Sequence, residues 1–310
     1  MIKRIIYTVV FVAAFICLSG CSFIVGSNYL YQNGDKYTAG DRQIKDKIEN
    51  ISIDYMSGNV KLIGADTDMI SVKETSSVRL DDKRKVHTWV DGTTLYVKYC
   101  ASAKNIDLNN LNKELTVTIP EDMILSDLYV DVSSADVSCE NFKSDSVNVN
   151  SSSGSINAEC EARMIKLSAS SGDVYLTQKG SSEEISIETS SGSIDVDMQD
   201  ATNLSTSASS GDIRIKAGEV KEFKSETSSG YNELKFDSVP AVSYIEASSG
   251  NVTVYLPKDS DLTLDMDPDE DDLSYDLAFS KKGNEYITGD GSNKMKIEIS
   301  SGEVNLKALD

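Results

Sequence analysis

Ser152-Ser153-Gly154-Ser155-Ile156, Ser170-Ser171-Gly172-Asp173-Val174, Ser190-Ser191-Gly192-Ser193-Ile194 and Ser209-Ser210-Gly211-Asp212-Ile213 are one short pattern written four times. Ser-Ser-Gly ends again at Gly230, Gly250 and Gly302, with Ser-Ser-Ala ending at Ala135 and Met-Ser-Gly at Gly58. From Ala135 to Gly250 the steps are 19, 18, 20, 19, 19 and 20 residues. A period of that length marks a stacked array. A flexible Ser/Gly linker is the alternative, but the residues between corners alternate apolar and polar at period two, as strands do and linkers need not.

Two and four positions after each corner stand Val60/Leu62, Val137/Cys139, Ile156/Ala158, Val174/Leu176, Ile194/Val196, Ile213/Ile215, Val252/Val254 and Val304/Leu306. Seven and five positions before it stand Ile51/Ile53, Leu128/Val130, Val147/Val149, Ile165/Leu167, Ile185/Ile187 and Met295/Ile297. Inward parity is odd before the corner and even after it, so one straight strand would bury polar residues; the chain must bend at Ser-Ser-Gly. Glycine supplies unusual backbone angles for such a bend, and serine hydroxyls can satisfy backbone groups the turn frees.

Two short strands and two corners per turn of roughly 19 residues describe an all-β fold, a flattened parallel β-solenoid resembling a β-helix. A β-sandwich also has frequent turns but no reason to repeat one tripeptide at every second corner. Regular coils are expected from about residue 125 to 269. After Gly230, Leu234 and Phe236 carry the inward positions one step late, so a local distortion is expected there. Between Gly250 and Gly302, the inward residues Leu262, Leu264 and Met266 predict a corner at Asp269, where Asp265 to Asp272 replaces Ser-Ser-Gly with an acidic stretch.

The N-terminus carries a different signal. Lys3 and Arg4 precede an uncharged apolar run from Ile5 to Leu18, closed by Leu18-Ser19-Gly20-Cys21. This resembles a bacterial lipoprotein signal peptide over residues 1–21, in which diacylglycerol is attached to the Cys21 thiol and small residues admit the peptidase. An uncleaved transmembrane anchor from Ile5 to Val25 is the other reading. Both place the rest of the chain outside the cytoplasmic membrane, lipid-anchored to its outer face in the first case. Residues 22–40 lack a strong pattern and read as a tether; 41–310 reads as a single solenoid domain, with charged residues 41–50 blunting its first exposed edge. A short antiparallel hairpin region is expected in the N-terminal third, from strands at 69–74, 86–90, 95–99 and 115–119, with Asp91-Gly92 as one turn and Gly283-Asn284 closing another hairpin near the C-terminus.

Composition narrows the function. The chain of 310 residues carries 30 Lys and Arg against 50 Asp and Glu, a net charge of −20. Nucleic-acid binding needs clustered positive charge and is disfavoured. His87 is the one histidine, so a multi-histidine metal site is excluded and any Ser-His-Asp mechanism would pass through it. On an expected hairpin strand beside Trp89, it reads as an ordinary strand residue. With Cys17 in the signal and Cys21 taking lipid, Cys100, Cys139 and Cys160 remain. Without a CxxC spacing they read as buried small apolar residues.

The Ser-Ser-Gly-(Asp/Ser/Asn)-(Ile/Val) corners, Leu256-Pro257-Lys258-Asp259, and the closing Gly289-Asp290-Gly291 through Ile299-Ser300-Ser301-Gly302 resemble the bacterial putative-adhesin family of domains of unknown function. The resemblance spans most of residues 50–308. It implies a β-solenoid, frequent attachment to the envelope and no known catalytic residues. The acidic corner at Asp269 departs from the family's Ser-Ser-Gly.

Candidate chemistry is sparse. Asp265, Asp267 and Asp269 alternate as calcium-loop ligands do, but Glu270 stands where an EF-hand needs glycine, so a solvated acidic loop is the default and calcium the alternative. No other cofactor is expected. Outward-facing Asp195/Asp197 and, one coil on, Arg214/Lys216 form complementary pairs. Tyr129, Tyr175, Tyr244 and Tyr255 point outward on two faces. The expected function is therefore non-enzymatic: a cell-surface lipoprotein displaying a rigid polar solenoid for adhesion or envelope interaction, its partners the membrane through Cys21 and an extracellular glycan or protein. Alternatives are an envelope-stress or sensory accessory that binds another membrane protein, and, third, a carbohydrate-active enzyme on a β-helix.

Overall fold

The computed structural model describes residues 23–25, 28–266 and 273–309. Apart from one 3-10 turn, Gly34–Lys36, its regular elements are strands, most of them joined into one long, largely parallel sheet. Each coil contributes one segment before the Ser-Ser-Gly corner and one after it, and each segment pairs in register with its counterpart in the next coil. Val174, Ile194 and Ile213 are aligned, as are Ile187, Thr206 and Ser225. The two ladders face each other across a continuous core. Every apolar residue predicted above to face inward from the corner pattern is at most 3% exposed, and Phe223 meets Phe236 across the core with ring centroids 5.0 Å apart. Burying each such aliphatic side chain contributes about 1.5–3 kcal/mol before chain entropy is counted.

The glycines have a steric reason beyond dihedral freedom. A Cβ at Gly154, Gly172, Gly192, Gly211, Gly230, Gly250 or Gly302 would overlap the carbonyl oxygen of the corner residue in the coil below, and at Gly58 it would overlap that of Lys113. Positive φ is the rule at some corners, as at Gly58 (105°) and Gly250 (124°), but Gly154, Gly172 and Gly192 lie outside that region. Close approach, rather than an unusual angle, is what all of these corners share.

No distortion occurs after Gly230. Asn232 pairs in register with Ile213 and Val252 and takes the inward position itself, fully buried, so Leu234 and Phe236 follow without a slip. A polar side chain at an inward position mimicked a shift of phase in the sequence.

Coil order is the second departure. Strand Leu262–Met266 does not stack on the Gly250 coil. Strand Val242–Ser249 pairs instead with Asn293–Ile299, and Val252–Leu256 with Val304–Ala308. The segments 262–266 and 273–275 lie beyond those C-terminal strands, and 262–266 is paired in turn with the Ser280–Lys282/Glu285–Thr288 hairpin. The other end repeats the arrangement: Asn50–Ala65 lies between Ile124–Ser151 and the later segments Thr94–Lys98 and Lys113–Pro120. Periodicity in sequence locates coils but not their order in space.

Residues 28–39 are not a free tether. Tyr29 and Tyr31 are 1% and 9% exposed, Tyr29 exchanges backbone hydrogen bonds with Ala103, and Thr38–Ala39 pairs with His87–Thr88. Aromatic anchors hold this strap on the body. Arg42–Ile44 pairs with Ile70–Val72, and a hairpin turns at Gly92-Thr93, so the N-terminal region forms an antiparallel cap over the last coil. Gly283-Asn284 closes the hairpin at the far end.

Candidate functional site

Two places concentrate chemistry: the corner edge of the solenoid and the buried interior of its N-terminal cap.

At the corners, the backbone groups freed by the bend are satisfied by neighbours of the Ser-Ser pair rather than by the pair itself. The Gly154 and Gly192 amides donate to Ser151 Oγ (2.8 Å) and Thr189 Oγ1 (3.1 Å), three residues earlier. One residue past the corner, carboxylate or amide oxygens on alternate coils accept the next coil's amide. Asp136 accepts from Ser155 (2.9 Å), Asp173 from Ser193 (2.8 Å), Asp212 from Tyr231 (3.0 Å) and Asn251 from Glu303 (3.0 Å). This two-coil alternation is legible in the sequence once the structure shows what to look for.

The Ser-Ser pairs themselves are exposed at every corner from Ser133-Ser134 to Ser300-Ser301, eight consecutive coils. Among the described residues no side-chain hydrogen bond involves them. At about 4.8 Å per coil the row runs about 34 Å. Contrary to the expectation from sequence, these hydroxyls face solvent rather than satisfying the turn, and only the backbone of the pairs joins the ladder between coils.

On the post-corner face, Asp195 aligns with Arg214 and Asp197 with Lys216 as expected. Lys216 Nζ reaches Asp197 at 3.4 Å, but Arg214 binds Asp212 of its own coil at 2.6 Å. These exposed pairs contribute about 0–1 kcal/mol each. They line an open trough shared with Glu233 and Lys235. Tyr175 is exposed on this face, Tyr255 lies between Lys235 and Lys307 at 5.0 and 5.7 Å, and Tyr244, on the other ladder, donates to Glu246 at 3.0 Å and Glu298 at 2.5 Å. Those two carboxylates raise the Tyr244 phenol's pKa. The tyrosines form no common platform.

The cap interior went unread in the sequence. Lys113 shares the inward parity of Leu115, Val117 and Ile119 and is 2% exposed. That parity, an inward-pointing charge at a sheet end, is the signal that identifies it. Its ammonium bonds Glu74 Oε1 at 2.6 Å, the Arg84 carbonyl at 2.8 Å and the Tyr99 carbonyl, and lies 3.9 Å from the Tyr99 ring centroid. All three donors are used. Burial lowers the Lys113 pKa, opposed by Glu74. Glu74 also accepts from Tyr55 Oη (2.9 Å) and the Val86 amide (2.8 Å). Beside it, Lys98 Nζ meets Asp54 Oδ2 at 3.0 Å, and Tyr29 Oη donates to Asp54 Oδ1 at 3.2 Å. Asp131 stands next to Asp54 in the ladder, its pKa raised by burial and then by Asp54. With all three ammonium hydrogens and both carboxylate oxygens engaged by internal partners, the buried Lys113–Glu74 pair is built to fix structure.

His87 is 7% exposed, its Nδ1 2.9 Å from the Lys85 carbonyl, and burial lowers its pKa. Trp89 stacks on Tyr96 (5.5 Å) beneath Lys36 (4.8 Å). Cys100, Cys139 and Cys160 are free and buried, and burial pushes the Cys100 and Cys160 thiols up to about 12. Cys21 lies outside the described residues, as do Asp267 and Asp269; Asp265 is exposed at the end of its strand. Among the described residues no three His, Cys, Asp or Glu side chains gather to hold a metal ion. No helix among them is long and apolar enough to cross a membrane.

A family model described as Toastrack DUF4097 matches residues 48–307. Among solved structures, a putative adhesin from Parabacteroides merdae is 14% identical with a TM-score of 0.52, covering 88% of this chain and 97% of that one. A putative lipid binding protein from Parabacteroides distasonis is 17% identical, TM-score 0.51, covering 87% and 96%. At these identities the likeness is one of fold. No curated protein matches the chain in sequence.

Proposed function

The chain belongs to the Toastrack DUF4097 family, and from that premise we propose that it is a non-enzymatic, lipid-anchored protein of the outer face of the membrane that displays a stiff, repeating polar surface for adhesion or envelope contact. Lipidation of Cys21 rests on the Leu18-Ser19-Gly20-Cys21 segment. The observation that carries the display reading is the corner edge: eight stacked coils offer the same exposed pair of serines, whose hydroxyls make no hydrogen bond within the fold among the described residues. Regular spacing suits a regular partner such as a glycan or wall polymer, gripped by many weak contacts rather than one strong one. The adhesin names of structural neighbours agree with this reading, and the closed Lys113–Glu74 network argues against catalysis there.

Photo-crosslinking from position Ser191 on intact cells tests it. Captured glycan, wall polymer or foreign surface protein is the expected result. A membrane protein of the same cell would replace display by an accessory role, and an empty result alongside productive crosslinking from Asp195 would move the contact surface to the post-corner face.

A further inference from the structure

Charge is segregated along the rod. Residues 28–120, which build the cap and the coil beneath it, hold 13 Lys and Arg against 13 Asp and Glu, a balance of zero. Residues 121–310 hold 15 against 37, a balance of −22. The neutral end is also the end at which the chain arrives from Cys21. Phe23 pairs with Leu30 of the docked strap, and in the sequence Phe23 follows Cys21 by two residues, a span of at most about 7 Å of extended chain.

Around that strap three loops meet. The Gly34 backbone packs on Ser102, the Ala101 amide donates to the Lys83 carbonyl at 2.9 Å, and Ala103 pairs with Tyr29. Each loop carries an exposed lysine: Lys36, Lys83 and Lys104. None of the three has an ion-pair partner among the described residues, although Lys36 lies over the Trp89 ring, in contrast to Lys143, Arg163, Lys179 and Lys216 along the shaft. Of the acids on these loops, Asp81 and Asp82 are engaged by Arg84 and Lys85 and Asp107 accepts from Asn109, which leaves Asp35 beside Lys36.

We propose that the N-terminal cap is a membrane foot: its Lys36, Lys83 and Lys104 loops seat on an anionic lipid surface, and the solenoid stands away from it with the Ser280–Thr288 hairpin farthest out. This rests on the lipid anchor at Cys21. Anionic headgroups attract unpaired surface lysines and repel a shaft of −22, and both effects fade within a Debye length of about 8–10 Å. A shaft lying flat would bring its excess acids inside that distance; an upright one keeps most of them outside. With eleven coils counted from the cap to the segment 262–275, the far hairpin lies about 50 Å away.

The test uses the full-length lipoprotein reconstituted in vesicles with about a third phosphatidylglycerol, or phosphatidylcholine alone. The native thiols at Cys100, Cys139 and Cys160 are buried, so a fluorophore attaches selectively to Q32C in the strap or K282C in the far hairpin, both exposed positions. A quencher in the lipid headgroup layer is expected to reach Q32C and to leave K282C as bright as in detergent. K36E/K83E/K104E is expected to retain its melting temperature and lose most of the Q32C quenching that anionic lipid adds, since each lysine near such a surface is worth roughly a fivefold change in partitioning. Equal quenching at both positions, quenching at neither, or indifference to lipid charge would overturn the foot. The mass of the Cys21 peptide is read in parallel. Lipid at Cys21 without Q32C quenching sinks the foot alone, whereas a Cys21 without lipid sinks the anchor and the foot together.

Discussion

Lys113 and Glu74 form a buried ion pair, Nζ to Oε1 2.6 Å, that plugs the open end of a solenoid whose other coils are sealed by aliphatic neighbours. Lys113→Met leaves Glu74 buried without its cation and is expected to cost about 3–5 kcal/mol. The double variant K113M/E74L removes both charges and should recover much of that loss. Denaturant midpoints of the two variants check the pair, and equal losses would show that the remaining partners dominate.

Gly192→Ala and Ser191→Ala separate packing from display. The alanine methyl at 192 meets the Gly172 carbonyl oxygen, so that variant is expected to lose about 3 kcal/mol or more. Ser191 is exposed with no side-chain hydrogen bond, and its variant should melt within about 0.5 kcal/mol of the parent. Calorimetry of both is sufficient.

Asn232 is fully buried; its Oδ1 accepts from Thr227 Oγ1 at 2.8 Å, while Nδ2 has no partner. Asn232→Val alone strands the Thr227 hydroxyl and should destabilise by about 1–3 kcal/mol. N232V/T227A gives this coil the residue types of its neighbours, Val252 and Ala247, and is expected to be neutral or stabilising. Urea titration of the single and double variants reads the difference.

Asp131 provides a pH test. Its folded pKa is raised by burial and by Asp54, opposed by Lys98. The native state therefore holds the proton more tightly than the unfolded chain, and stability from this group falls as pH rises from the ordinary aspartate pKa, about 3.9, through the raised value. Asp131→Asn should stabilise at pH 7, by less than about 1 kcal/mol after solvent screening, and confer no gain below about pH 3.5. Melting temperatures at the two pH values decide it.

The regular coils were legible because one residue pair after another, from Ile51/Ile53 to Val304/Leu306, obeys a single inward pattern that only a stacked fold satisfies. What stayed hidden depends on contacts between distant segments. Tyr29 and Tyr31 carry no periodicity, so their docking against residues 99–103 left no local trace. Lys113 was visible as a misplaced charge, but its partner Glu74 comes from another strand. Asn232 misled because a polar residue at an inward position has the same signature as a register slip.

The interleaving of coils at both ends changes how such a rod comes apart. A solenoid built strictly in sequence order frays from its termini, each coil peeling away once its outer neighbour is gone. Here the C-terminal strand Val304–Ala308 is gripped between Val252–Leu256 and Leu273–Tyr275, and Asn50–Ala65 is gripped between segments that follow it in the chain. Pulling on the C-terminal end must shear a strand out from between two others rather than unzip an edge one hydrogen bond at a time, and at the other end the same holds for Asn50–Ala65 once the singly paired strands at 28–44 have peeled away. Synthesis meets the same constraint in reverse, since the N-terminal coil must wait for residues 94–151 before both its edges are covered, a long loop to close. The molecule is thus slow to finish and hard to unravel from its C-terminal end.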